Sequence, residues 1–169
     1  YVNLSQMGTR GAEAEVRLHL KSLVLRLAYA FATASGKNEV AEYAVPGRDD
    51  VMMGFAKHQG IARLTVPVAL PQGAGEKLAF SVTGRALSER YADFAVDDSG
   101  NYVTTRVAPV FLADLLADWT HVMGSPLDVQ VAVFNLFDQN RYLIQPYHSG
   151  HAPVPGAGRE VSVRLGLRE

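Results

Sequence analysis

Cysteine is absent from these 169 residues, which excludes a disulfide framework and any thiolate metal site. Long apolar runs are missing too. The longest uninterrupted stretch, Val107 to Ala113, falls far short of the roughly 18 residues a membrane helix needs. If the chain crosses a membrane, it must do so as strands. Surplus charge of either sign is also lacking. Sixteen Lys and Arg against 17 Asp and Glu leave a net −1, whereas a nucleic-acid binder normally carries a basic excess. The motifs of common catalysis are missing: no Gly-x-Ser-x-Gly, no phosphate-cradling glycine loop and no His-Glu-x-x-His. The chain is therefore expected to be neither an enzyme nor the holder of a resident cofactor or metal. No basic stretch runs into an apolar segment at the start, so no signal peptide is read. Tyr1 to Arg10 reads as the lead-in to a strand.

What the chain does have is alternation. Its 48% hydrophobic and 20% charged residues exclude disorder, and the length suffices for one domain. Ala12, Ala14, Val16, Leu18 and Leu20 share one parity; Glu13, Glu15, Arg17, His19 and Lys21 share the other. Side chains of a strand alternate with period two, so this segment is a strand between an apolar and a wet environment. The C-terminus repeats the pattern, with Val161, Val163, Leu165 and Leu167 against Glu160, Ser162, Arg164 and Arg168. Weaker alternation marks Leu23–Phe31, Leu64–Leu70, Leu78–Val82, Phe111–Trp119 and Leu127–Val133. About seven strands follow, each expected to be roughly 12–17 residues long, against a usual ~5–6 in globular sheets. Pro67 and Pro109 conflict with a central strand unless they lie near strand ends.

The connections alternate short and long. Ser22, the stretch Pro71–Glu76 and the stretch His121–Ser125 are short; Gly36–Gly54, Ala92–Tyr102 and Asn140–Ala157 are long and polar. Short turns at one rim and long loops at the other are the pattern of bacterial outer-membrane barrels. Tyr29, Phe31, Tyr91 and Trp119 fall towards strand ends, which fits an aromatic girdle and fits ordinary core aromatics as well. Asp49-Asp50 and Asp97-Asp98 read as solvated loop charges in preference to a calcium site. His148 and His151, beside Tyr147, lack a third ligand nearby and read as polar loop residues before metal ligands.

Asn135-Leu136-Phe137-Asp138 followed by Tyr142 resembles a signature near the end of TonB-dependent outer-membrane receptors. The run from Pro155 through Arg159 into Val161–Arg168 resembles that family's closing loop and last strand, and Thr9-Arg10-Gly11-Ala12-Glu13 resembles its Thr-Arg-Gly-x-Glu lead-in. The spacing of all three is similar to the family's across essentially the whole chain. The family usually ends on an aromatic residue, whereas Glu169 is last here.

The resemblance implies an all-β fold: about seven C-terminal antiparallel strands of a 22-stranded transmembrane barrel, with the plug domain and the earlier strands outside residues 1–169. It implies residence in the bacterial outer membrane and active import of a scarce bulky nutrient, such as an iron-siderophore complex or cobalamin, energised by TonB. Partners would be the rest of the barrel, the plug, TonB through that plug, membrane lipid and a small metal chelate, with no nucleic acid. Glu13, Glu15, Arg17, His19 and Lys21 would face the lumen, because Arg or Lys on the lipid face costs about 2–4 kcal/mol at mid-membrane. Arg85, Arg90 and Tyr91 near the outer rim, with Tyr147, His148 and His151, would be ligand contacts. Asn135–Asp138, Tyr142 and Arg159 would be structural. A soluble lipocalin-like barrel and an outer-membrane barrel without energised transport stay open as rivals, since alternation alone does not say which face is inside.

Overall fold

In a computed structural model, residues 8–34, 40–70, 75–148 and 151–168 are described. The elements, in order, are β1 (Arg10–Leu20), β2 (Leu23–Thr33), β3 (Ala44–Val45), β4 (Arg48–Met52), β5 (His58–Val68), β6 (Lys77–Leu87), β7 (Arg90–Val96), β8 (Tyr102–Val107), β9 (Val110–Thr120), β10 (Leu127–Phe134), β11 (Tyr142–Leu143), β12 (Val154–Pro155) and β13 (Glu160–Leu167). Two single turns of 3-10 helix, Ala41–Tyr43 and Val122–Gly124, are the helical content among the described residues. Seven strands form one antiparallel meander in the order β1-β2-β5-β6-β9-β10-β13. The pairs β3-β4, β7-β8 and β11-β12 form three small ladders, one inside each long connection.

The register makes each face of the meander uniform. Leu18 faces Leu25, then Leu64, Val82, Leu115, Val133 and Val161 in one line across all seven strands. The opposite face carries Arg17, Arg26, Arg63, Thr83 and Asp114 in a neighbouring line, and farther along Asp118, Gln130 and Arg164. Period-two alternation in each strand, held in register by its neighbours, produces this segregation.

The two faces differ in crowding as well as polarity. Phe80 and Val82 on the apolar face are 48% and 45% exposed, while Ser81 between them is 6%. Phe111 is 52% exposed and Leu112, next to it on the charged face, 6%. The sheet therefore curls towards its charged face, which crowds the side chains there and splays the apolar ones outwards. A convex apolar surface of this extent is unstable against water.

Strand lengths correct the sequence expectation of roughly 12–17 residues. β1, β2, β5, β6 and β9 have 11 residues, and β10 and β13 have 8. An 11-residue strand rises ~36 Å, and a tilt of about 45° brings that to ~25 Å, the height of a barrel's apolar band. The difference arises because β6 stops at Leu87, and Arg90 and Tyr91 open a separate hairpin. Lys21 likewise sits in the turn after β1. Pro67 lies one residue from the end of β5, and Pro109 falls between β8 and β9, so neither interrupts a ladder. Of the short connection Pro71–Glu76, residues 71–74 lie outside the described residues, as do residues 35–39 of the first long loop.

Candidate functional site

The three long connections leave the sheet at the same rim and pack into one cluster. Its core is Val45, Met53 and Tyr91, with Val51 against them. Met53 is fully buried. Backbone bonds tie the loops together: Gly54 N–H donates to Tyr91 O (2.9 Å), and His148 N–H to Glu42 O (2.7 Å). Gly54 adopts φ +78°, and a Cβ there would meet Pro146 Cα at 3.1 Å. Both its conformation and its close approach need glycine.

His148 joins all three loops. One ring nitrogen, Nδ1, lies 2.7 Å from Asp93 Oδ2 on β7, and Nε2 lies 3.0 Å from Ala44 O on β3. Both neighbours are acceptors, so the ring bonds both only when each nitrogen carries a proton. Tyr102 stacks on the same ring with centroids 5.5 Å apart, and Thr104 Oγ1 donates to the other Asp93 oxygen at 2.8 Å. His148 is thus a staple within the cluster. Tyr147 and His151 stay exposed, with His151 Nδ1 against Ala152 O. Among the described residues no group of three or more His, Asp or Glu side chains is placed to hold a metal ion.

Tyr91 is also structural: its ring packs in the loop core under the Arg48 guanidinium, 5.2 Å from the ring centroid. That removes it from the strand-end girdle. Phe31 and Trp119 lie within two residues of their strand ends, whereas Tyr29 lies four residues inside the end of β2. Tyr29 Oη bonds His58 Nδ1 (2.7 Å) at the loop rim, and Trp119 Nε1 donates to Glu76 at the other (2.8 Å). Each thus has its polar tip satisfied by a side-chain partner.

Below the loops, the charged face holds a cavity of about 590 Å³ lined by Glu13, Glu15, Gln59, Arg85, Leu112 and Arg141. Arg85 donates to Asp114 Oδ2 at 2.9 Å, while Asp114 Oδ1 accepts the Asn135 backbone N–H at 3.0 Å. Arg90 donates to Tyr142 O at 3.3 Å, and its Nε is buried with no partner among the described residues. Burial lowers the Arg90 guanidinium from its ordinary value. The structure thus brings Arg85 and Arg141 to one cavity, places Arg90 against the Tyr142 carbonyl, and withdraws Tyr91 and His148 into the loop cluster. Arg141 escaped the sequence reading, since no periodicity marks a loop residue.

Asn135–Asp138 is a tight turn closing β10. Asn135 (φ 49°) accepts Gln139 N–H and donates to Gln139 O. Asp138 (φ 51°) accepts the Arg159 N–H at 2.8 Å and so fixes the start of β13. Asn and Asp tolerate the left-handed region better than other side chains. Tyr142 pairs with Pro155 and packs edge-on against Phe94 at 5.6 Å. At the hairpin tip, Asp97 accepts the N–H groups of Ser99 and Asn101; the bonds from Asn101 hold its carboxyl below the usual range. Asp50 is held low by Lys57, 2.7 Å away.

No family model matches the chain, and no curated protein matches it. Among solved structures, the fold is similar to that of the FrpB iron transporter from Neisseria meningitidis (F3-3 variant), with a TM-score of 0.63 and 18% sequence identity. The likeness covers 93% of this chain and 23% of that chain. The chain thus spans less than a quarter of that protein's length, and at this identity the two share a fold.

Proposed function

We propose that the chain is the C-terminal part of the barrel of an outer-membrane active transporter of the TonB-dependent kind. In this reading the missing strands complete a 22-stranded wall, a plug fills the lumen, and TonB acts through that plug. The cargo is a scarce, bulky nutrient, with an iron chelate as the favoured class. The observation that carries the reading is the direction of curl: the charged face is concave and the apolar face convex. A soluble lipocalin-like barrel needs the reverse, an apolar interior and a wet exterior. Three long loops gathered at one rim add support, because barrels of this kind carry their long loops outside. The fold likeness to an iron transporter agrees with both.

Arg85, Arg90 and Arg141 would then face incoming cargo beneath the loop cluster, where guanidinium groups bind carboxylate or catecholate oxygens well. An immunoblot of source outer membranes with an antibody to residues 156–169, boiled and unboiled, tests the reading. A heat-shifted band about four times this chain's mass, as the 23% coverage implies, is expected. The same epitope on a soluble protein of this chain's own size would overturn it.

A further inference from the structure

The cavity on the charged face has two unlike ends. Two lines of directly opposed residues cross it, Glu13, Ala30, Gln59 and Leu87 in one and Glu15, Ala28, Ile61 and Arg85 in the other. Both lines start on a carboxylate of β1. On β2 they meet only the methyl groups of Ala28 and Ala30, between longer side chains on β1 and β5, so the face dips into an apolar trough. The far wall is Arg85, with Leu112 on β9 behind it and Arg141 from the connection after β10. A Cβ at Gly156 would stand 2.7 Å from Arg141 Cγ, so glycine leaves open the lane in which that side chain lies. From β1 to β6 is three strand spacings, about 14 Å. Glu13 is near the start of β1 and Arg85 near the end of β6, so the trough lies at the rim that carries the long loops.

Part of the charge at each end is unused. Glu15 is engaged by Arg17 and Arg26, and Arg85 by Asp114 at 2.9 Å. Glu13 and Arg141 make no ion pair among the described residues. Arg85 Nε is buried with no hydrogen-bond partner among them. A ligand matching one end alone would leave the other charge covered and uncompensated, which is costly. The volume of about 590 Å³ falls within the roughly 300–1,000 Å³ of small-molecule sites. We infer that this trough takes a dipolar cargo: a metal chelate that sets an ammonium group against Glu13 and anionic oxygens against Arg141 and Arg85 Nε, with its apolar body over Ala28 and Ala30. This rests on the transporter reading and narrows its cargo from iron chelates in general to those carrying both charges.

The test uses the full-length protein in isolated outer membranes and three probes. One is a ferric trihydroxamate bearing a free ammonium and a free carboxylate; the others are its N-acetyl derivative, which lacks the cation, and its carboxamide, which lacks the anion. The parent is expected to bind the dipolar chelate about tenfold more tightly than either derivative, the usual worth of a hydrogen bond to a charged group. Glu13→Gln should lose the preference over the N-acetyl form and keep that over the carboxamide. Arg141→Gln should do the reverse, and Ala28→Leu, which fills the trough, should weaken all three. Neither Glu13 nor Arg141 has an ion pair to lose, and the heat-shifted band confirms that each variant is folded. Equal binding of the three probes by the parent, binding of none, or a preference for only one of the two charges would overturn the dipolar subsite. So would equal weakening of all three probes in Glu13→Gln and Arg141→Gln. With the heat-shifted band in place, each of these results leaves the transporter reading standing. The epitope on a soluble protein of this chain's own size would sink both.

Discussion

Met53, in the loop cluster, is wholly buried, whereas Phe80 and Phe111, in the sheet, are about half exposed. The cluster is assembled from short ladders and single turns, yet it encloses a core of Val45, Met53 and Tyr91. The sheet is far larger and more regular, yet Phe80, Val82 and Phe111 on its apolar face stay about half exposed. The contrast shows which part meets water on its own terms. The loops bury Val45, Met53 and Tyr91 among themselves and cross-link through His148, while Phe55, Val96 and Leu143 stay at their surface. The sheet does not bury its own apolar face, which in the transporter reading is the face a barrel turns to lipid.

The contrast can be broken from the sheet side first. Val82 sits mid-strand on the apolar face, and Val82→Arg should cost about 2–4 kcal/mol in a membrane. Thr83→Arg, one residue along and facing inwards, should cost far less. Urea titration of the heat-shifted band from membranes measures both, and equal costs would remove the distinction between the faces. On the loop side, Met53→Ala should lose about 2–3 kcal/mol locally. Hydrogen exchange should then rise in β3, β4 and β7 while the seven-stranded sheet keeps its protection. Loss of protection throughout would mean that the two regions fold as one unit.

A finer cut removes the staple. His148→Ala leaves buried Asp93 with Thr104 as its one side-chain partner among the described residues, at a cost of about 1–2 kcal/mol; protease nicking of the long loops should accelerate while the sheet fragment stays intact. The smallest effect is acid-linked. Asp50 has a lowered folded-state pKa through Lys57, so its stabilisation is present above the ordinary carboxylate range and is lost as pH falls through the lowered value. For a partly exposed pair this is under about 1 kcal/mol. Exchange at residues 48–58, corrected for intrinsic rate, should rise on acidification in the parent and not in Lys57→Met.

Much of the sheet was legible in the sequence because period two is a local signal: Glu13, Glu15, Arg17 and His19 announce one face without reference to any partner. Segregation of the faces followed from the same pattern. Direction of curl did not, because alternation is symmetric between the two sides, and relative crowding of neighbours such as Phe80 and Ser81 was needed to decide it. The loop cluster was largely illegible. Its ladders are as short as two residues, and His148 finds Asp93 55 positions away. Tyr91 looked like a rim aromatic because Ser88 and Glu89 gave no sign that β6 had ended. The Asn135–Asp138 motif was readable as structural, while its work of pinning Arg159 to the start of β13 needed three dimensions. Arg85 reads from the sequence as a cation near the rim, whereas Asp114, which holds it, is marked there by nothing beyond alternation.

In the transporter reading the charged face lies inside and the apolar face outside, against lipid. This chain has no cysteine, so single cysteines at residues 80, 82 and 83 of the full-length protein in outer membranes can be probed with a water-soluble maleimide. Labelling is expected at position 83 and protection at 80 and 82, with a lipid-soluble reagent giving the reverse. Aqueous labelling at 80 and 82 with protection at 83 would turn the sheet inside out and contradict it.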